Sequence, residues 1–159
     1  MTRSRTSAGL LMFRKSPKGL EVLLAHPGGP YFRNKDEGAW TIPKGEAAEG
    51  EELLARARIE FEEELGIAAP AAANWIALGS VKQKGGKTVR AWAFEGDCPT
   101  DFVTVSNTFD LEWPPRSGRM QQFPEIDRAE FFSIEEARRK IKEAQIAFLD
   151  RLIEALRTA

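Results

Sequence analysis

A chain of 159 residues, 42% hydrophobic and 30% charged, excludes a disordered segment and a membrane-embedded bundle, and it fits one domain, residues 1–159, with a core of its own. Lys plus Arg at 23 against Asp plus Glu at 24 lacks the basic excess of a general nucleic-acid binder, so no stable nucleic-acid partner is expected and any polyanion site must be local. Cys98 is the only cysteine. It excludes an intramolecular disulfide or a cysteine-built zinc site, and the apolar stretch Ala8 to Phe13 is too short for a signal core or a membrane span, so the expected compartment is cytoplasmic.

Thr6 to Arg14 and Leu20 to Ala25 are apolar runs around the turn cluster Ser16-Pro17-Lys18-Gly19, which predicts a β-hairpin. His26 to Gly38 has no period and reads as a long surface loop. Trp40-Thr41-Ile42 is a short extended piece ended by Pro43. From Glu49 to Leu65 strong helix formers place Leu53, Leu54, Ala57, Phe61 and Leu65 on one side, and Gly66 supplies the stop. Trp75 to Lys82 and Thr88 to Phe94 predict a second hairpin around Gly85-Gly86, with short strands at Phe102 to Val105 and Phe109 to Trp113. Ala129 to Phe132 predicts a last strand. Ser133 with Glu136 is a capping box opening one C-terminal helix with an apolar stripe through Ile141, Ile146, Leu149, Leu152, Ile153 and Leu156.

The chemistry concentrates in Gly45 to Glu51 and Glu60 to Ile67. Glu60, Glu63 and Glu64 are related by three and four positions and project from one helical face. Like charges so spaced repel by a few tenths of a kcal/mol per pair, which a divalent cation would relieve, and ligands that are all oxygen favour magnesium or manganese. An acidic helix face alone is usually just solvated; the glycines at fixed offsets from these acids point the other way.

Gly45, Glu51, Glu60, Phe61, Glu63, Glu64, Gly66 and Ile67 match the box G-x5-E-x7-R-E-U-x-E-E-x-G-U, with U aliphatic or aromatic, and on these residues the chain resembles the Nudix hydrolases. The resemblance implies an α/β/α sandwich, with a mixed sheet flanked by the box helix and a C-terminal helix. It also implies hydrolysis of a diphosphate linkage in a nucleoside diphosphate-X compound, with Mg²⁺, or Mn²⁺ in its place, held by Glu60, Glu63, Glu64 and the Gly45 carbonyl. The family's arginine falls at Ile59. Arg56, one turn before Glu60, is expected to substitute for it. Glu112 is the candidate carboxylate from outside the box. Candidate substrate-binding residues are Lys44, Arg33, Lys35, Lys82 and Arg90 for phosphates and Tyr31 for stacking on a base. Lone His26 reads as a structural residue.

The segment His26 to Gly45 is similar to the diadenosine polyphosphate hydrolase and nucleoside triphosphate pyrophosphohydrolase group. Asymmetrical cleavage of dinucleoside polyphosphates to ATP and AMP is therefore the leading expectation. The alternatives are a nucleoside triphosphate, ADP-ribose or an inositol pyrophosphate as substrate, or a sensor that binds nucleotides without turnover. The partner is a small molecule, and the chain is expected to be a monomer or homodimer.

Overall fold

The computed structural model describes residues 5–70, 73–98 and 102–158. β1 (Thr6–Ser16) and β2 (Gly19–Pro27) form the expected hairpin, whose turn is fastened by the Ser16 hydroxyl, donating to the Gly19 carbonyl and accepting from Lys18 N–H. β1 is the central strand. It pairs in parallel with β5 (Thr88–Glu95) and antiparallel with β2 and with the short β3 (Lys44–Glu46). β4 (Ile76–Lys82) and β8 (Ile126–Ser133) complete a six-stranded mixed sheet in the order β4-β5-β1-β2-β8, with β3 against β1.

Both faces of β1 are covered, which is why its apolar run is unbroken rather than alternating. Ala8, Leu10 and Met12 pack toward α1 (Leu53–Leu65), which contributes Ala57, Phe61 and Leu65. Leu11 and Phe13 face the opposite layer, where Ala137 of α2 (Ile134–Lys140) and Phe148, Leu149 and Leu152 of α3 (Ile146–Thr158) are buried with Trp40. The result is the expected α/β/α sandwich, with each large buried side chain stabilising it by about 1.5–3 kcal/mol. No helix among the described residues is long and apolar enough to cross a membrane.

Several expectations need correction. α1 begins at Leu53 rather than Glu49, because Gly50 takes a positive φ of 79° and the Glu51 carboxylate turns back to accept from Ala48 N–H, a turn no helix can continue through. Among the described residues Phe102 to Val105 pairs with no strand, and its alternate valines point into solvent; the alternation is there without a described ladder partner. The sequence reading missed β7 (Met120–Pro124), a mostly exposed strand that pairs with β6 (Thr108–Glu112) as a separate ribbon.

The expected C-terminal helix is two helices. Ser133 caps α2 as predicted, accepting from Glu136 N–H. Ile141 then becomes extended and bridges Trp40, and Lys142 N–H donates to the Trp40 carbonyl. A tertiary pairing thus overrides the helical stripe. At this junction Gln145, fully buried, accepts from Ile42 N–H, exchanges hydrogen bonds with the Thr41 hydroxyl and donates to the Gln83 side chain. Gln145→Ala leaves Ile42 N–H unsatisfied and takes a partner from the Thr41 hydroxyl and the Gln83 side chain, and is expected to cost about 2–4 kcal/mol in urea unfolding. A loss under 1 kcal/mol would show that this network is dispensable.

Candidate active site

The site is assembled where β3 meets α1. Gly45 pairs with Ala8, whose side chain faces the α1 layer, so the missing Gly45 side chain faces α1 as well. A Cβ there would fall inside the Glu60 carboxylate; glycine lets that carboxylate lie flat against the strand. Backbone bonds from Leu10 to Pro43 and from Ala47 to Thr6 fix the alternation of the ladder and turn Lys44 N–H away from β1. Glu64, one helical turn beyond Glu60, accepts that N–H at 2.9 Å. Two carboxylates a turn apart are thus pinned on one short strand.

Arg56 supplies the orienting contact. Its Nη1 is 3.2 Å from Glu60, the i,i+4 ion pair the spacing predicts, and its Nε and Nη2 hold Glu51 at 2.7–3.0 Å. Ile59, at the family arginine's position, is exposed. Arg56 therefore ties the first box glutamate to Glu60. Arg56→Ala is expected to lower kcat by about 10- to 100-fold with little change in melting temperature, as loss of a group that orients a ligand does. Full activity would remove Arg56 from the machinery.

Burial pushes the Glu64 carboxyl up to about 8, reinforced by the Glu60 charge and opposed by Lys44 N–H. Glu60 is also raised, first by burial and then by the charges of Glu63 and Glu125, with Arg56 opposing. The Lys44 ammonium is lowered, mainly by burial and by nearby Lys142. Glu63 itself is exposed. Among the described residues no three carboxylate, histidine or cysteine side chains form a closed ligand set. The donors nonetheless suit a hard divalent cation: they are oxygens, burial raises both Glu60 and Glu64 and takes Glu64 to about 8, and the glycine cradle keeps room beside them.

Other expected site residues are dispersed. Glu112 ends β6 in the separate ribbon and accepts from Arg116 N–H. The outside carboxylate whose charge acts on both Glu60 and Glu64 is Glu125, between β7 and β8, which the sequence reading missed. Arg33 and Lys35 line a cavity of about 260 Å³ with Trp40, Arg128, Phe132 and Lys140, on the α2 side. Lys82 is exposed at the end of β4. Arg90 leans over Trp92. Tyr31, half-exposed, meets Trp113 edge to face at 5.3 Å. Buried His26 lies between Asp127 and the Lys35 carbonyl at 2.8 and 2.7 Å and straps the long loop to β8, as its structural reading anticipated.

The NUDIX domain model matches residues 3–152. No curated protein matches the chain in sequence. Among solved structures, the chain is similar to an Ap4A hydrolase of C. elegans in a binary complex, at 21% identity and TM-score 0.68, covering 96% of this chain and 99% of that one. It is similar to the NUDIX domain of Shewanella oneidensis NrtR complexed with ADP ribose, at 13% identity and TM-score 0.63, covering 98% and 90%. A MutT protein from Methanosarcina mazei Go1 has 20% identity and TM-score 0.60, with 98% and 96% covered. A family model spanning nearly the whole chain, on a sheet and box helix of this form, shows that the chain belongs to the NUDIX family and is a pyrophosphohydrolase of that fold.

Proposed function

We propose that this protein hydrolyses a dinucleoside polyphosphate asymmetrically, diadenosine tetraphosphate to ATP and AMP, with Mg²⁺ or Mn²⁺ as cofactor. The observation that carries the chemistry is the pair Glu60 and Glu64, laid on β3 by the Gly45 cradle and Lys44 N–H. Glu60, Glu63 and Glu64 would hold the cation with the Gly45 carbonyl. Bound there, it supplies neutralisation of the phosphate oxygens and a bound water of lowered pKa. Arg56 fixes the Glu60 carboxylate. Glu125, rather than Glu112, accepts the proton of the attacking water, since its charge already acts on both buried acids. Lys44 draws the phosphate chain toward the pair.

The dinucleotide is favoured by the likeness to the C. elegans Ap4A hydrolase along both chains and by the Tyr31–Trp113 pair, an aromatic platform for a base worth about 1–3 kcal/mol when stacked. The test is product analysis with Mg²⁺ on diadenosine tetraphosphate, nucleoside triphosphates, ADP-ribose and an inositol pyrophosphate, beside Glu63→Gln. ATP plus AMP from the dinucleotide, lost in the variant, is the expected result. Turnover of another member would reassign the substrate, and binding without turnover of any would make the protein a sensor.

A further inference from the structure

Arg33 and Lys35, which the catalytic pair does not use, line the cavity whose floor is Trp40. That indole is buried and held on three sides: its Nε1–H donates to Asp36 at 2.8 Å, and the rings of His26 and Phe132 meet it edge to face at 5.0 and 4.9 Å. One wall is β8, where Arg128, Glu130 and Phe132 are alternate residues and so share a face. The other wall is the loop through Lys35 and Asp36, and Lys140 of α2 completes the lining. The two walls are tied together. Lys35 carbonyl accepts from His26, whose other ring nitrogen meets Asp127 of β8, and Asp36 bonds both Trp40 and Lys140. A cavity fastened in this way needs little ordering when a ligand enters.

Its charges do not cancel. Asp36 and Lys140 neutralise each other. No ion pair among the described residues includes Arg33, Lys35, Arg128 or Glu130, so three cations face one acid and two positive charges are left over. Arg128 lies over the Trp40 ring at 5.2 Å, which fixes the plane of its guanidinium while its N–H fork has no partner among the described residues. A fork so held takes an oxyanion through two parallel bonds.

We infer that this cavity is a binding site for a phosphoryl group, carried by a small phosphomonoester or present as free phosphate, and separate from the site of hydrolysis. A phosphoryl group bears about 1.5 to 2 negative charges near neutral pH and three acceptor oxygens. It can therefore answer the excess charge and meet cations from both walls, which a planar carboxylate does from one side only. The volume of about 260 Å³ falls below the roughly 300–1,000 Å³ of sites for drug-sized ligands, enough for a phosphoryl group on a pentose-sized body and too small for a dinucleotide. The catalytic pair lies on the α1 face of the sheet, whereas Trp40 and Phe132 belong to the α2 and α3 layer, so the inference does not depend on which substrate is cut.

The test is calorimetric titration of metal-free protein with inorganic phosphate, ribose 5-phosphate and malonate, with the Trp40 indole N–H followed by NMR. Phosphate or ribose 5-phosphate should saturate one site and shift that indole signal. Arg128→Gln and Lys35→Gln should each weaken binding at least about tenfold, as loss of a charged hydrogen bond to a phosphoryl oxygen requires. Both side chains are exposed, so the unliganded variants should melt close to the wild-type protein. Lys44→Gln, on the catalytic strand, should leave phosphate binding unchanged. Tighter binding of ribose 5-phosphate than of phosphate identifies a phosphomonoester as the ligand, and the reverse order identifies the free ion. No saturable binding, unchanged affinity in either cavity variant, or binding lost in Lys44→Gln overturns the inference. So does malonate, a dianion of a different shape, binding as tightly as the phosphates.

Discussion

In chelator-treated buffer Glu64→Gln should unfold at a higher temperature than the wild-type protein, while its Mg²⁺-dependent turnover falls by about 10³-fold or more, the equivalent of several kcal/mol of metal-assisted stabilisation. The Glu64 carboxyl sits at about 8 in the folded chain against 4.5 for an ordinary glutamate. Between those values the folded state binds more protons than the unfolded one, so stability falls as pH rises from about 4.5 and levels off above about 8. At 1.36 kcal/mol per unit the loss is on the order of 5 kcal/mol, and the raised Glu60 carboxyl adds to it in the same direction. Glutamine mimics the protonated acid and can still accept Lys44 N–H. The gap between the two proteins should therefore be small at pH 4.5 and widest above pH 8, and Mg²⁺ should close it by stabilising only the wild-type protein. A gap independent of pH would show that Glu64 is not the strained group.

The acids that make this prediction possible were legible in the sequence because they lie on one helix, where spacing alone decides which side chains share a face. The Arg56–Glu60 pair was legible for the same reason. Glu125 was not: it lies at the step where β8 is registered against β2 with a bulge, Pro27 opposite Ile126, and no periodicity encodes that its charge bears on Glu60 and Glu64. Glu112 was chosen for its place at a strand end, a property that says nothing about which sheet the strand joins. The uninterrupted C-terminal stripe misled because Ile141 is apolar for a β-bridge to Trp40 rather than for a helix face.

Gly45→Ala should separate folding from catalysis. Gly45 is not among the positive-φ glycines, so alanine is compatible with the backbone, and the added methyl meets the end of a flexible side chain rather than a wall of backbone. Stability should change by less than about 1 kcal/mol. Glu60, however, cannot stay where it is. Displaced by the methyl, its carboxylate must either leave Arg56 or rotate away from β3, and a misplacement of about 1 Å in such a constellation costs on the order of 10²-fold in rate. Because Glu64 keeps its bond to Lys44 N–H, the metal requirement should persist with a raised Mg²⁺ concentration for half-maximal activity. The measurement is a Mg²⁺ titration of kcat alongside urea unfolding. An alanine protein with normal kcat and normal metal dependence would mean that Glu60 acts from a position other than the Gly45 cradle; one that fails to fold would mean that the cradle serves the packing of α1 on β3 before it serves the site.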